Sequence, residues 1–262
     1  MPAKGKIRFV VTAGPTREYL DPVRFLSNPS SGKMGFAVAR AAAEKGYEVT
    51  LIAGPVSLKT PKGVKRVDVV SARDMLAAVE AEIEASRVAR RTMKCACHCT
   101  ASDSRASYCT ASDSRASDEK IFLISTAAVA DWRPARCASR KLKKGEMSDT
   151  LKLVRNPDIL RTLNRKIEKS KNRKILLVGF AAETNAVDAE ARRKCREKGL
   201  EFIVANDVTK PGCGFGTDTN RVTFLRKDGS IGRLPLLTKL SVARRIVREC
   251  ERIIAARGGN ML

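Results

Sequence analysis

A β-strand, a long polar segment and an α-helix follow one another at the start of the chain. Residues 7–12 (IRFVVT) are apolar enough for a buried strand, residues 14–35 are largely polar, and residues 36–45 are an alanine-rich helical run. Open α/β sheets bind their ligands at such connections between a first strand and a first helix. This order therefore predicts an α/β fold with a ligand site in the polar segment.

The end of the polar segment has the chemistry of an anion site. Ser30, Ser31 and Gly32 can expose backbone N–H groups at a helix N-terminus, and glycine lets a ligand approach the backbone closely. Lys33 adds a positive charge. The structural alternative is that Ser31 only caps the helix and Lys33 is solvated. The segment is not a Walker A loop, because Met34 stands where Ser or Thr is required, and it does not have GxGxxG spacing.

Further apolar runs extend the α/β pattern. The predicted strands are residues 47–53, 64–70, 121–126, 174–180 and 201–205, followed by a hairpin of residues 221–225 and 231–236. Ser71 and Asp74 form a capping box at one predicted helix start, and Asn156 with Pro157 predicts the start of another. The pattern indicates a doubly wound, mostly parallel sheet with a small antiparallel hairpin near the C-terminus.

Three of the apolar strands end in polar segments, at residues 127–134, 183–185 and 206–207. The carboxyl ends of parallel strands meet at one edge of a sheet, so these segments predict a shared site. Asp131 is the only acid in the first segment, and its position favours a functional role over a turn or cap. Lys141, Lys143 and Lys144, taken alone, are a solvated run.

Charge and composition limit the functional classes. The net charge is +23, but Lys and Arg are spread along every segment, which argues against nucleic-acid binding as the main function. The apolar run at residues 175–182 is far shorter than the ~20 residues of a membrane span, and no signal-peptide pattern is present. The eight cysteines have no paired framework. A soluble, cytoplasmic protein is expected, without a membrane partner.

Residues 87–118 interrupt the α/β pattern. The sequence CTASDSRAS at residues 99–107 recurs unchanged at residues 109–117, with almost no apolar side chain. This composition predicts a disordered or exposed insertion. Residues 95–99 (CACHC) include His98, the only histidine, but their spacing fits no common zinc site, so a thiol-rich loop is favoured over metal binding.

Five segments together resemble the phosphopantothenate–cysteine ligase family, also called phosphopantothenoylcysteine synthetases. In chain order they are residues 14–35, 127–134 (AAVADWRP), 141–144 (KLKK), 179–185 (GFAAETN) and 205–208 (ANDV). The resemblance covers nearly the whole chain outside the insertion. It implies a single Rossmann-like domain over residues 1–262 that works as a homodimer, with sites near the interface.

The resemblance also implies a reaction, the ligation of 4′-phosphopantothenate to L-cysteine in coenzyme A biosynthesis. In the bacterial type, the pantothenate carboxylate attacks the α-phosphorus of CTP and pyrophosphate leaves. The cysteine amine then takes the acyl group and CMP is released, with Mg²⁺ bridging the triphosphate. The sequence leaves ATP open as the nucleotide. Many bacterial members carry a decarboxylase half before the ligase half, so here a separate decarboxylase is expected.

Site residues follow from the same motifs. Asn28 and Arg24 match residues that act on phosphopantothenate or the acyl intermediate, and Lys141 matches the lysine that supports acyl-nucleotide formation. The nucleotide-binding set, from the resemblance and the anion-site chemistry together, is Ser30, Gly32, Lys33, Ala127, Asp131, Phe180 and Lys210. Metal ligands stay unassigned.

Two other functions remain open at this point. A nicotinamide-dependent oxidoreductase on a similar sheet predicts an acid at the end of the second strand, where this chain has Ala53-Gly54-Pro55. A basic nucleic-acid-binding module predicts salt-sensitive binding to any duplex.

Overall fold

The computed structural model describes residues 7–93, 119–146, 149–171, 174–183, 187–207, 212–214 and 216–258. The strands are β1 (Ile7–Ala13), β2 (Arg17–Tyr19), β3 (Phe25–Ser27), β4 (Glu48–Ala53), β5 (Lys65–Asp68), β6 (Lys120–Ser125), β7 (Trp132–Pro134), β8 (Leu153–Arg155), β9 (Ile175–Glu183), β10 (Phe202–Asp207), β11 (Thr219–Asn220), β12 (Val222–Arg226), β13 (Ile231–Arg233) and β14 (Leu237–Thr238). The helices are α1 (Lys33–Glu44), α2 (Ala72–Met93), α3 (Ile159–Ser170), α4 (Val187–Glu197) and α5 (Lys239–Gly258).

The central sheet has a doubly wound order. Within the described residues it contains 8 strands in the order β13-β12-β10-β9-β6-β1-β4-β5. The strands from β10 to β5 are parallel, and β12 and β13 add an antiparallel edge. The chain passes from β1 outward to β5 and then returns to place β6 on the other side of β1. The predicted α/β class, its mostly parallel sheet and its C-terminal hairpin are confirmed.

Helices cover both faces of the sheet, which explains why the strands are continuous apolar runs. Alternate residues of each strand point to opposite faces. Phe9, Phe122 and Phe202 pack towards α1 and α5 and are fully buried, with the Phe9 and Phe122 rings stacked 5.6 Å apart. Val10 and Leu123 pack towards α2, α3 and α4. The core therefore forms two aliphatic layers that hold the strand ends in fixed register.

The two helix starts predicted from capping patterns have different outcomes. The capping box is confirmed, because the Asp74 N–H donates to Ser71 Oγ at 3.2 Å and the Ser71 N–H donates to Asp74 Oδ2 at 2.9 Å. The start at Asn156 is wrong, since the N-cap of α3 is Asp158. The Asn156 amide instead donates to the carbonyl of Ala130 at 2.8 Å, which fixes it to the loop after β6.

Two short antiparallel strand pairs lie where the sequence predicted no strands. The polar segment 14–35 contains the antiparallel pair β2–β3, and β7 pairs with β8. These strands have three residues each, which is too short for an alternating pattern to be detected in the sequence.

Helix α2 continues into the segment predicted as an insertion. It ends at Met93, so residues 87–93 are helical and not part of a loop. The repeat and the CACHC segment, residues 94–118, lie outside the described residues. Among the helices of the described chain, none combines the length and apolar character needed to cross a bilayer.

Candidate functional site

A cleft of about 500 Å³ opens at the carboxyl ends of β1, β6, β9 and β10. Its walls are residues 28–35, 125–131, 156–160 and 180–182, with further contributions from Lys198, Asn206, Gly214 and Asn220. The strand order reverses between β1 and β6, which is the position where doubly wound sheets bind ligands.

The cleft brings together most of the residues predicted from the sequence. Those that line it are Asn28, Ser30, Gly32, Lys33, Ala127, Asp131 and Phe180. Arg24 and Lys141 are not among the lining residues, and Lys141 is exposed. Lys210 lies outside the described residues. The structure therefore separates the predicted set into a cleft group and a second group near Arg24.

The N-terminus of α1 forms one wall of the cleft. Gly32 is the N-cap residue and has a φ of 75°, a left-handed conformation that favours glycine. The N-cap residue is Gly32 and not Ser31, and no side-chain cap is present within the described residues, so the predicted alternative of a Ser31 cap is wrong. The Ser30 hydroxyl accepts the Gly32 N–H at 3.3 Å. The first-turn N–H groups, left without intrahelical partners, suit an anionic ligand.

Lys33 is already paired across the rim of the cleft. Its ammonium donates to Asp218 Oδ1 at 2.7 Å and to the Gly216 carbonyl at 2.9 Å. The hydrogen bond from Lys33 lowers the pKa of Asp218. Lys239 is buried and donates to the Thr217 carbonyl at 2.5 Å, which anchors the same loop. Asp218 therefore competes with any phosphate for the Lys33 ammonium, a competition that sequence patterns did not indicate.

Residues 127–131 form the opposite wall, and hydrogen bonds to Gly14 and Thr16, just after the end of β1, hold them in place. The Ala128 N–H donates to the Gly14 carbonyl at 2.9 Å, and the Ala130 N–H donates to Thr16 Oγ1 at 3.0 Å. The Asn28 amide donates to the Val129 carbonyl at 3.0 Å. This network fixes Asn28 against the loop that carries Asp131.

Two carboxylates line the cleft and differ in their availability. Asp158 caps α3 and pairs with Lys198 at 2.8 Å. Burial opposes ionisation of Asp158, but the hydrogen bonds from Lys198 and the helix backbone outweigh it and lower the pKa. Asp131 is exposed, and its carboxylate makes no hydrogen bond or ion pair with the described part of the chain. Of the acids that the structure describes in the cleft lining, Asp131 is therefore the one free to contact a ligand.

Asp131 also bears on metal binding. Mg²⁺ is commonly held by one or two carboxylates together with substrate phosphates. Within the described ranges no group of three or more His, Cys, Asp or Glu forms a metal cluster, whereas Asp131 offers one free carboxylate on the cleft wall opposite the N-terminus of α1. This donor set fits a Mg²⁺ that arrives with a nucleotide.

The second group of predicted residues surrounds Asp21. The Arg24 guanidinium donates to Asp21 Oδ2 through Nε at 3.0 Å and to the Leu142 carbonyl at 2.9 Å. These hydrogen bonds bring the turn between β2 and β3 next to Lys141. The Arg24 guanidinium and three backbone N–H groups outweigh burial and hold the pKa of Asp21 well below its usual range.

The sheet order defines a Rossmann-type α/β domain, whose cleft at the reversal point and helix N-terminus have the chemistry that suits an anion. The chain belongs to the family described as the DNA/pantothenate metabolism flavoprotein C-terminal domain, whose sequence model matches residues 4–97 and 94–254. The family recognised from the five sequence segments is thereby confirmed.

Curated relatives are longer than this chain. The chain is 43% identical over 249 residues to the coenzyme A biosynthesis bifunctional protein CoaBC of Bacillus subtilis, which covers 95% of this chain and 52% of that protein. It is 43% identical over 226 residues to CoaBC of Escherichia coli K12, covering 85% of this chain and 46% of that protein. The chain thus spans about half the length of these relatives.

Solved structures share the fold. The crystal structure of the C-terminal domain of CoaBC is 38% identical, with a TM-score of 0.68 and coverage of 97% of this chain and 98% of that chain. A Cab2 mutant in complex with phosphopantothenate-cysteine has a TM-score of 0.66 at 15% identity, a likeness of fold alone.

Proposed function

We propose that this domain ligates 4′-phosphopantothenate to L-cysteine in coenzyme A biosynthesis, through an acyl-cytidylate formed from CTP. The observation that carries the proposal is the cleft. Three motifs that lie far apart in the sequence, at residues 28–33, 127–131 and 180–182, line one cleft at the reversal point of the sheet. Membership of the family, and relatives named for coenzyme A biosynthesis, support the same reaction.

The chemistry of the cleft suits activation of a carboxylate by a nucleotide. A carboxylate reacts with an amine only after its oxygen becomes part of a good leaving group, and here CMP is that group. Phosphopantothenate and CTP are both polyanions, so cations and N–H dipoles must offset their repulsion. At the cleft wall, the N-terminus of α1 supplies the N–H dipoles and Lys33 supplies the positive charge. The net charge of +23 attracts both substrates.

The residue roles follow from this arrangement. Asn28 and Arg24 bind phosphopantothenate and the acyl intermediate, and Lys141 stabilises the charge that develops as the acyl-nucleotide forms. Ser30, Gly32, Lys33, Ala127 and Phe180 contact the nucleotide. Asp131 contacts the ribose or Mg²⁺, and Mg²⁺ supplies charge neutralisation on the triphosphate when it is bound. The amine of cysteine is itself the second nucleophile, so the reaction requires none from the protein.

A homodimer is part of the proposal. The two short strand pairs and their flanks carry an exposed apolar patch, which consists of Val23, Phe25, Leu26, Trp132, Leu151 and Leu153. Exposed apolar clusters of this kind mark interaction surfaces. Arg24 lies between Val23 and Phe25 of the patch in the sequence, and its guanidinium donates to the carbonyl of Leu142, the residue after Lys141. A second copy docked on the patch would therefore border the residues proposed to act on phosphopantothenate.

We also propose that the protein acts in the cytoplasm. The described cysteines Cys137, Cys195, Cys213 and Cys250 are free thiols, as expected of a reducing compartment. The separate decarboxylase expected from the sequence stays a prediction.

Pyrophosphate release tests the proposed function directly. Wild-type protein is incubated with 4′-phosphopantothenate, Mg²⁺ and either CTP or ATP, with and without cysteine. We expect release with CTP, and CMP with the ligated product only when cysteine is added. Lys141→Gln should lose this activity, whereas Lys62→Gln, an exposed lysine outside the cleft, should keep it. Preference for ATP would overturn the CTP assignment, and no release with either nucleotide would overturn the ligase.

A further inference from the structure

One buried carboxylate connects two segments that carry proposed catalytic residues. Asp21 has no exposed surface. Its Oδ1 accepts the backbone N–H groups of Val23 at 2.9 Å and Arg24 at 2.8 Å. These two hydrogen bonds close the turn between β2 and β3, a local role that many Asp and Asn residues have in turns.

The second oxygen of Asp21 reaches beyond the turn. Oδ2 accepts Arg24 Nε at 3.0 Å and, from a distant part of the chain, the Leu142 N–H at 3.2 Å. Arg24 also donates to the Leu142 carbonyl at 2.9 Å. Both backbone polar groups of Leu142 are therefore held, and the peptide bond between Lys141 and Leu142 is fixed. The Ala138 N–H donates to the Leu20 carbonyl at 2.9 Å and docks the same segment.

We propose that Asp21 is a positioning residue for the ligase reaction, which holds the Arg24 side chain and the backbone at Lys141 in one arrangement. The inference rests on the proposed function. It adds a residue that contacts no substrate itself and acts through Arg24 and Lys141, the two residues proposed to act on phosphopantothenate and the acyl-nucleotide.

A carboxylate is required for this task, and an amide is not sufficient. Asparagine would keep the Oδ1 contacts of the turn, but its NH₂ group would face the Arg24 guanidinium and the Leu142 N–H, which are all donors. The negative charge also matters, since charge-assisted hydrogen bonds to Arg24 are shorter and stronger than neutral ones. A role in the turn alone would leave Asn and Asp equivalent.

The position of Lys141 explains why this arrangement affects catalysis. Its side chain is exposed, so packing does not restrict it, and the fixed backbone beside it is the main constraint on where its ammonium can reach. Misplacement of a catalytic group by about 1 Å can cost on the order of 10²-fold in rate. A released segment therefore lowers turnover and leaves nucleotide binding in the cleft intact.

The first test compares the isosteric variant Asp21→Asn with Asp228→Asn. Asp228 also accepts a backbone N–H, that of Ser230 at 2.8 Å, in the β12–β13 hairpin away from the cleft. We expect D21N to lower kcat by about 10²-fold with KM for CTP changed less than about threefold, and D228N to match the wild type. An unchanged kcat in D21N would overturn the proposal.

A second variant leaves Asp21 and its pairing with Arg24 unchanged. Leu142→Pro removes the N–H that reaches Oδ2, and the proline ring also fixes φ at residue 142 and restricts the backbone of Lys141. Ser139→Pro controls for a proline in the same segment, because the Ser139 N–H has no hydrogen bond within the described residues. L142P should show the same drop in kcat at unchanged melting temperature, and S139P should not.

Hydrogen exchange provides a reading that does not depend on turnover. Amides of residues 138–146 should exchange at least tenfold faster in D21N and L142P than in the wild type, with core strands unchanged. An active wild type with unchanged exchange in both variants refutes the role of Asp21, whereas an inactive wild type refutes the proposed function.

Discussion

Gly35 shows how one missing side chain sets the position of α1. A Cβ atom at this residue would lie 2.5 Å from Ala13 Cβ and 2.4 Å from Thr126 Oγ1. The helix therefore approaches the ends of β1 and β6 more closely than any other residue permits. This close approach brings the first turn of α1 to the wall of the cleft.

Replacement of Gly35 by alanine should destabilise the fold. The added methyl group meets the backbone-linked Ala13, which cannot move without shifting β1, so a loss of about 1–3 kcal/mol is expected. Gly145→Ala is the control, since a Cβ there would have no atom within 4 Å and its φ is not positive. Urea unfolding measures both. Equal stability of G35A and G145A would contradict the close-packing explanation.

Local sequence patterns predicted the hydrogen-bond partner of a residue only where that partner is near in the sequence. Ser71 and Asp74 are three residues apart, and their capping box formed as expected. Asn156 was assigned as a cap, but its partner is the carbonyl of Ala130, which is far away in the chain. The pairing of Lys33 with Asp218 is a similar long-range contact that no local pattern could indicate.

Between elements, the contact of α1 with the loop before β11 controls access to Lys33. The Asp218 side chain is 86% exposed, so water and salt screen the pair and it can be broken at little cost. Lys239 holds the loop independently from the start of α5. The loop can therefore stay in place when Lys33 changes partner.

The variant Asp218→Asn should improve nucleotide binding. Removal of the competing carboxylate frees Lys33 for phosphates, so KM for CTP should fall by about two- to fivefold with little change in kcat. Asp68→Asn, which removes an exposed partner of Arg66 away from the cleft, should leave KM unchanged. Steady-state kinetics at low salt measure both values. A higher KM in D218N would show that the carboxylate supports nucleotide binding directly.

The sequence predicted the strands that are buried on both faces, and it did not predict the short strands that are mostly exposed. β1, β6 and β9 are buried on both faces, so their continuous apolar runs were identified from the sequence. β2 and β3 are short and mostly exposed or half-buried, and partners elsewhere in the fold determine their structure. The same dependence on distant partners placed Arg24 against Asp21 and Leu142 and outside the lining of the cleft.

At the scale of the whole molecule, the apolar patch predicts the oligomeric state. Leu153→Asp places a charge on the patch and should convert the proposed dimer to a monomer, because a carboxylate buried in an apolar interface is strongly unfavourable. Leu236→Asp is the matched control, a leucine of similar exposure outside the patch, at 42% against 40% for Leu153. Sedimentation velocity measures both. A wild-type monomer, or an intact L153D dimer, would refute the patch as the interface.

Acid should destabilise the folded chain. The pKa values of Asp21, Asp158 and Glu249 are lowered in the folded state, mainly by hydrogen bonds from Arg24, Lys198 and Arg226, respectively. A lowered folded pKa contributes stability that is complete above the ordinary values of 3.8 for Asp and 4.5 for Glu, and that is lost as the pH falls through the folded values. Protonation also increases the charge beyond +23 and its self-repulsion.

Thermal melts between pH 7 and pH 3 test this expectation. The melting temperature should change little from pH 7 to about 5 and then fall steeply below about 4.5. Added salt should reduce the loss by screening the positive charge. A melting temperature that rises below pH 4.5 would contradict the assignment of these carboxylates as ionised partners.

Family and sheet class could be predicted for the whole chain because they depend on order along the sequence. Five segments in the expected order indicated the family, and alternating strands and helices indicated the doubly wound sheet. The division of the proposed site residues between the cleft and the Asp21 cluster could not be predicted, because it depends on how distant turns dock in three dimensions.

The most direct test of the proposed mechanism follows an oxygen atom. If 4′-phosphopantothenate labelled with oxygen-18 in its carboxylate attacks the α-phosphorus of CTP, one labelled oxygen becomes bonded to that phosphorus. When the cysteine amine displaces CMP, this oxygen leaves with the CMP. Mass spectrometry should therefore find one oxygen-18 per CMP. Unlabelled CMP, or label in inorganic phosphate with CDP as co-product, would contradict an acyl-cytidylate.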